Sequence, residues 1–344
     1  MCGDQIWIME ENKEIKAETE SPAEKPKKKR KFGDNWLVLG IKAEVLMVIG
    51  EMLTGVLIGM LMFVPLILSQ SITDMDVVME LASNSEYTSS DWINTAIMYF
   101  EFIGTWAIFL LWFLIRKNNR PLFRAIGTGT GGNNWKKLLL GFGIGFVMNG
   151  LCILLAWLHG DFKLHFSRFD ILPLLIIFIC VFIQSSAEEL VCRCYYYQRL
   201  MKSYRNPLVA IGVSSAFFAA LHLANDGVGV LPIIDIAATG VLFCMIVYYL
   251  DSFWCACAVH CAWNYTQNII FGLPNSGTMV PYSIMTMDTS SAKSSFFYNT
   301  GFGVEGSVMS ILVQIAACVL IYLWARKHPS QPTDIWAQNG EEKQ

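Results

Sequence analysis

The chain has 344 residues, 54% hydrophobic and only 15% charged, with a formal net charge of −3 and a mean hydropathy of +0.44. A soluble domain carries nearer a quarter charged residues, so an ordinary water-soluble protein is excluded and an integral membrane protein is indicated. The near-balanced net charge says little about partners, but its distribution along the chain says more.

Residues 1–35 are hydrophilic and contain the run KPKKKRK at 25–31. No apolar core stands near the start, which argues against a cleavable signal peptide. A basic run just ahead of an apolar segment reads as a cytoplasmic anchor against anionic membrane lipid rather than a nucleic-acid patch, so no nucleic-acid partner is expected. This stretch is expected to be a disordered cytoplasmic tail. Eight apolar segments follow, at about 44–69, 92–115, 137–159, 171–198, 206–224, 230–250, 252–272 and 307–325. Each approaches the roughly 20 residues a membrane-spanning helix needs. The expectation is therefore an all-α polytopic membrane protein with about eight transmembrane helices over residues 36–326, followed by a cytoplasmic tail over 327–344, disordered beyond Pro329. Residues 70–91 carry five acidic residues and no Lys or Arg, and 273–306 a single Lys. By contrast 116–137 holds Arg116, Lys117, Arg120, Arg124, Lys136 and Lys137, and 199–205 holds Arg199, Lys202 and Arg205. The positive-inside rule puts both termini in the cytoplasm, which requires an even number of spans. The plasma membrane is the expected location.

Charged groups within such segments are costly and are candidate functional sites. Glu51, Glu101 and Asp235 each stand alone, which suits an interfacial position or a hydrogen bond between helices. The fourth, fifth and seventh predicted spans differ. SSAEELVCR, at 185–193, carries Glu188, Glu189 and Arg193. Residues four apart share a helix face, so Glu189 and Arg193 can pair, while Glu188 is turned about 100° away without a counter-ion. An unpaired carboxyl in a low-dielectric setting holds its proton more tightly than one in water, which suits a general acid or base. The fifth span carries FAALHLAN, with His222 and Asn225. The seventh carries His260, Asn264, Gln267 and Asn268 as one polar stripe. Interhelical hydrogen bonds alone would be an expensive use of these groups at about 1 kcal/mol each. The cluster CACAVHC at 255–261 lacks a second cysteine pair at zinc spacing, and its thiols read as small apolar packing groups.

The three motifs, Glu-Glu-x-x-x-Arg, Phe-x-x-x-His and His-x-x-x-Asn, occur in this order on three apolar segments. They resemble those of the CPBP family, the CaaX prenyl endopeptidase and bacteriocin-processing (Abi-type) intramembrane proteases. The resemblance spans about 170–270, the expected protease core, and extends weakly to GFGVEGS at 301–307. It implies a glutamate-dependent intramembrane endopeptidase that cuts a membrane-associated peptide or protein. In it Glu188 activates water with the help of His222, His260 and Asn264 stabilise the oxyanion, and Glu189, Arg193 and Asn225 support the site. No metal or other cofactor is implied. A zinc-dependent version on Glu188, His222 and His260 stays open. So does a non-catalytic scaffold that regulates a membrane signalling partner such as a sensor kinase. A transporter is disfavoured by the lack of an inverted repeat. Counted along their helices, the three site segments meet only if the fourth and fifth spans project together as a hairpin beyond the membrane.

Overall fold

The computed structural model describes residues 32–68, 88–128, 132–329 and 331–337. The polybasic run and nearly all of the predicted N-terminal tail lie outside the described residues. Helix α1 covers Trp36–Leu68, and α2, Asp91–Phe100, is followed after a two-residue turn by α3, Ile103–Ile115. A short α4, Leu122–Ile126, leads to α5, Trp135–His159. Helix α6, Ile171–Glu189, runs without a break through a π-helical segment, Leu190–Tyr197, into α7, Gln198–Tyr204. Then come α8, Pro207–Leu221, and α9, Val230–Tyr249. Helix α10, Phe253–Asn264, continues as a second π-helical segment, Tyr265–Ile270, and α11 covers Val308–Lys327. The starts are written in the sequence. Asn134, Asn206, Ser252 and Ser307 each cap a helix by accepting a backbone N–H of its first turn.

Six of these stretches among the described residues are long and apolar enough to cross a membrane. The chain is a multi-pass membrane protein. The two predicted spans at 206–224 and 252–272 are shorter than read. Helix α8 has 15 residues, because the chain turns at His222 and at Gly227, whose φ is +69°. Helix α10 has 12 before its hydrogen bonding widens to the π pattern. The molecule is apolar outside and polar within. Leu37, Ile41, Val45 and Met52 on α1 and Leu139, Val147 and Leu158 on α5 are exposed, while Glu189, Arg193, Asp235 and Gln267 are fully buried. That is the reverse of a soluble protein and the arrangement lipid demands.

Helix α10 lies in the middle of the bundle and packs on α5, α6 and α9. Its approach to α5 is set by small residues. A Cβ on Gly141 would lie 2.8 Å from the Ala258 methyl, and one on Gly145 would lie 2.7 Å from that of Ala262. With no hydrophobic drive between helices in lipid, such small-residue seams let backbones make their van der Waals contacts. The connections at one end of the bundle form a cap. Strand β1, Lys163–Phe166, pairs antiparallel with β2, Met285–Asp288, so that residues 271–307 fold back over that end. At the opposite end the predicted disorder beyond Pro329 is corrected for residues 331–337, the described part of that tail. Thr333 is hydrogen-bonded to the Asp251 carboxylate, Ile335 is buried, and the Trp336 indole donates to the Gln198 carbonyl beneath Lys202. Apolar and cation–π contacts with α7 offset the ordering of this short polar stretch.

The seam yields a paired test. Replacing Gly145 with Val forces α10 away from α5, and overpacking of this kind costs about 1–3 kcal/mol. The purified protein in detergent melts several degrees lower. Ala at Gly143, which has nothing within 4 Å of its added methyl, leaves Tm unchanged.

Candidate active site

The three elements predicted to bear the site converge on one cavity of about 290 Å³. Gln184 and Glu188 of α6, His222 and Asn225 after α8, and His260 and Asn264 of α10 line it, with Asn275 and Ser276 of the cap. The lengths of the approaches explain the geometry. Glu188 is sixteen residues from the end of α7, or about 24 Å, and His222 fifteen from the start of α8, about 22 Å. His260 is only seven into α10, about 10 Å. For the three to share a cavity, the hairpin of α7 and α8 must reach about 12 Å beyond the start of α10, the projection that the sequence requires.

Glu189 and Arg193 form the predicted pair at 3.0 Å, with no exposure of either side chain. The same Glu189 oxygen accepts from His260 Nδ1 at 3.0 Å. Arg193 also donates to the Gly240 carbonyl, and its guanidinium stacks over Phe218 at 4.3 Å and Phe243 at 5.0 Å. The His260 ring lies 5.2 Å from that of Phe243. With Nδ1 engaged by a carboxylate, His260 presents Nε2 to the cavity, 3.9 Å from Glu188 Oε2. Glu188 is turned away from the ion pair, as the helical spacing requires. Its Oε1 accepts from Gln184 Nε2, and its Oε2 is buried without a hydrogen-bond partner. His222 Nδ1 is held by the Phe218 carbonyl at 2.9 Å, which leaves its Nε2 free of that bond. This explains the Phe-x-x-x-His spacing. Phe218 holds the histidine through its carbonyl and covers Arg193 with its ring.

Asn264 donates to Gln184 Oε1 at 3.2 Å and Ser185 Oγ at 3.4 Å, and accepts from Asn275 Nδ2 at 3.3 Å. The supporting Asn225 donates to the Ser276 carbonyl at 2.9 Å and so ties the end of α8 to the cap. Gln267 and Asn268 serve the cap as well, donating to the carbonyls of Pro274, and of Leu273 and Thr278. The sequence reading missed Gln184, Asn275, Ser276 and Glu305 as site residues. Of these only Glu305 carried a signal, a carboxylate inside the apolar GFGVEGS stretch. Its Oε1 accepts from Asn275 and from the Ser276 N–H and hydroxyl, and its Oε2 from the Trp263 indole. Burial pushes the Glu305 carboxyl up to about 7, against these hydrogen bonds and the nearby His260. Asp235 is the predicted helix-packing group, accepting from Ser310 and Gln314 of α11. Glu51 is less isolated than its sequence position indicates, since its carboxyl lies within electrostatic reach of Glu188. Among the described residues no group of three His, Cys, Asp or Glu side chains is arranged to hold a metal ion.

Residues 170–266 match the family model described as type II CAAX prenyl endopeptidase, Rce1-like. The match covers all three motifs and supports the likeness that they carry. No curated protein and no solved structure matches the chain.

Two measurements follow from this geometry. Arg193→Ala removes the counter-charge of buried Glu189 and leaves it only the His260 N–H, which costs about 3–5 kcal/mol and is read as a loss of stability to unfolding in mixed micelles. Glu305 gives a pH signature. A carboxyl raised from 4.5 to about 7 on folding contributes stability that is fully present below pH 4.5 and lost as pH rises through 7. The Tm of the wild type therefore falls relative to that of Glu305→Gln between pH 4.5 and 8.

Proposed function

We propose that the chain is a CaaX-type intramembrane endopeptidase that works without a metal ion. Supporting this reading above all is the buried, unpartnered Oε2 of Glu188, which faces His260 Nε2 across 3.9 Å within a cavity lined by hydrogen-bond donors. A water held there is within reach of a general base and of the histidine rings. Glu188 takes a proton from this water, whose oxygen adds to the scissile carbonyl carbon. The charge that develops on the carbonyl oxygen is met by the Asn264 NH2 group and by Nε2–H of His260. Because Nδ1 already donates to Glu189, Nε2 is the ring nitrogen left to face the developing charge. Glu188 then passes its proton to the departing amine as the C–N bond breaks. Preorganised donors of this kind, shielded from water, are the strongest single contribution a protein makes to such a step.

The substrate follows from the matched family in class only: a membrane-associated peptide or protein with a prenylated cysteine near its carboxyl terminus. We place the enzyme in the plasma membrane with both termini in the cytoplasm, on the distribution of Lys and Arg among the connections.

The assay uses purified protein in detergent and a peptide that ends in a farnesylated cysteine and three further residues. The wild type releases the terminal tripeptide. Glu188→Gln slows release by about 10²- to 10⁴-fold, and Asn264→Ala by about 10²- to 10³-fold, at unchanged Tm. Cleavage by Glu188→Gln at the wild-type rate would overturn the assignment of the base. Failure of the wild type to cut this peptide would remove the prenyl substrate class.

A further inference from the structure

The amide of Asn264 can act as a donor to the cavity only if it is turned the right way, and nothing within Asn264 itself fixes that. An asparagine side chain presents an oxygen or an NH2 group on nearly identical outlines. The direction is set from outside, by a chain of hydrogen bonds that starts at a carboxylate. At pH 8, above the value to which burial raises it, Glu305 is largely ionised and can only accept. Asn275 must therefore turn its NH2 group towards Glu305 Oε1, at 3.0 Å. The same NH2 group reaches Asn264 at 3.3 Å, so Asn264 must offer it Oδ1. The NH2 group of Asn264 is then directed to Gln184 Oε1 and Ser185, and Gln184 in turn presents its NH2 group to Glu188. Three amides thus run in one sense between two carboxylates, one beneath the cap and one in the cavity.

We infer that Glu305 is a positioning residue: acting through Asn275, it fixes the orientation of the Asn264 amide and, through Gln184, the hydrogen bond to Glu188. The catalytic meaning of that orientation rests on the function proposed above, but the orientation itself does not. Glutamine at 305 cannot reproduce the effect. Glu305 Oε1 faces the Ser276 N–H and Oε2 faces the Trp263 indole N–H, and both of these groups can only donate. Wherever a glutamine places its own NH2 group, it opposes one of them. If that group lies on the Asn275 side, Asn275 turns over and the sense of the chain reverses.

The test is a double-mutant cycle on Glu305→Gln and Asn275→Ala at pH 8, with the farnesylated peptide as substrate and Tm as the control for folding. Each single variant lowers kcat by about 10-fold and changes KM by less than about 2-fold. The double variant is no slower than the worse single, because both cut the same chain. Independent, multiplying effects, or a kcat for Glu305→Gln within twofold of wild type, would overturn the inference. A second measurement needs no substrate and so separates this inference from the proposed function. In protein labelled with [15N]asparagine and held in nanodiscs, the Asn264 side-chain amide signal is identified by its disappearance in Asn264→Asp. It shifts in Glu305→Gln and in Asn275→Ala. An Asn264 signal that stays in place in both would refute the inference, whether or not the peptide is cut.

Discussion

A single carboxylate oxygen, Glu189 Oε1, holds the site together. It accepts from Arg193 and from His260, both at 3.0 Å, in a setting with no solvent exposure of the Glu189 or Arg193 side chain. A charge cannot be left alone at such a depth, since an unpaired ion costs several kcal/mol even after relaxation. The structure meets this demand in three ways. Arg193 supplies the counter-charge, the Gly240 carbonyl takes a second guanidinium N–H, and two phenylalanine rings close over the cation. The consequences reach every element of the site. Phe218 reaches Arg193 because α8 packs on the π-helical segment that carries it, and the same packing puts His222 on the cavity. Gly240 lacks a side chain where α9 meets Ser215 of α8, and a Cβ there would lie 2.8 Å from the Ser215 backbone. This closeness brings the Gly240 carbonyl within reach of Arg193.

Confining the ion pair also assigns roles to two neighbouring acids that the sequence makes look equivalent. Glu189 is spent on structure, because its Oε1 is shared by Arg193 and His260. Each acid keeps one oxygen without a partner, but that of Glu188, one residue earlier and on another face, looks across the cavity to His260 Nε2. His260 joins the two. One ring nitrogen is anchored to the structural acid, and the other faces the reactive one. The histidine's orientation is thus a by-product of the same oxygen that neutralises Arg193.

Much of this was legible in the sequence, because it is local. The spacings within EELVCR, FAALH and HCAWN act within one or two helical turns, and helical geometry alone separates Glu188 from the pair. Depth arithmetic also anticipated the long hairpin, since the rise per residue is fixed. What escaped is what depends on long-range contact. Asn275 and Glu305 are 30 residues apart in a polar loop, and Asn264 and Gln184 are 80 apart. No periodicity marks such pairs. The loop reads as a plain connection because its Asn, Ser and Gly residues are those of any turn. The docked segment 331–337 was missed for the same reason, as its two anchoring side chains, Ile335 and Trp336, are too few to make a pattern.

The two π-helical segments bear on why the site sits where it does. The first begins at Leu190, inside the Glu-Glu-x-x-x-Arg motif, so that Arg193 lies within it, and the second begins at Tyr265, directly after Asn264. Regular α-helix places Glu188, Glu189, His260 and Asn264, whereas Arg193 reaches Glu189 from within the wider turn. A π turn breaks the i→i−4 ladder and releases backbone groups that need other partners. The Cys192 carbonyl receives the Ser214 hydroxyl of α8 at 3.0 Å, so the irregularity in one helix becomes a specific bond to the next. In the second segment the Thr266 carbonyl accepts from Phe271 and the Gln267 carbonyl from Leu273, which turns the chain out of the helix and into the cap. The departures from regular helix therefore fix α8 against α6 and the cap against α10. Those are the two placements on which His222 and Asn275 depend.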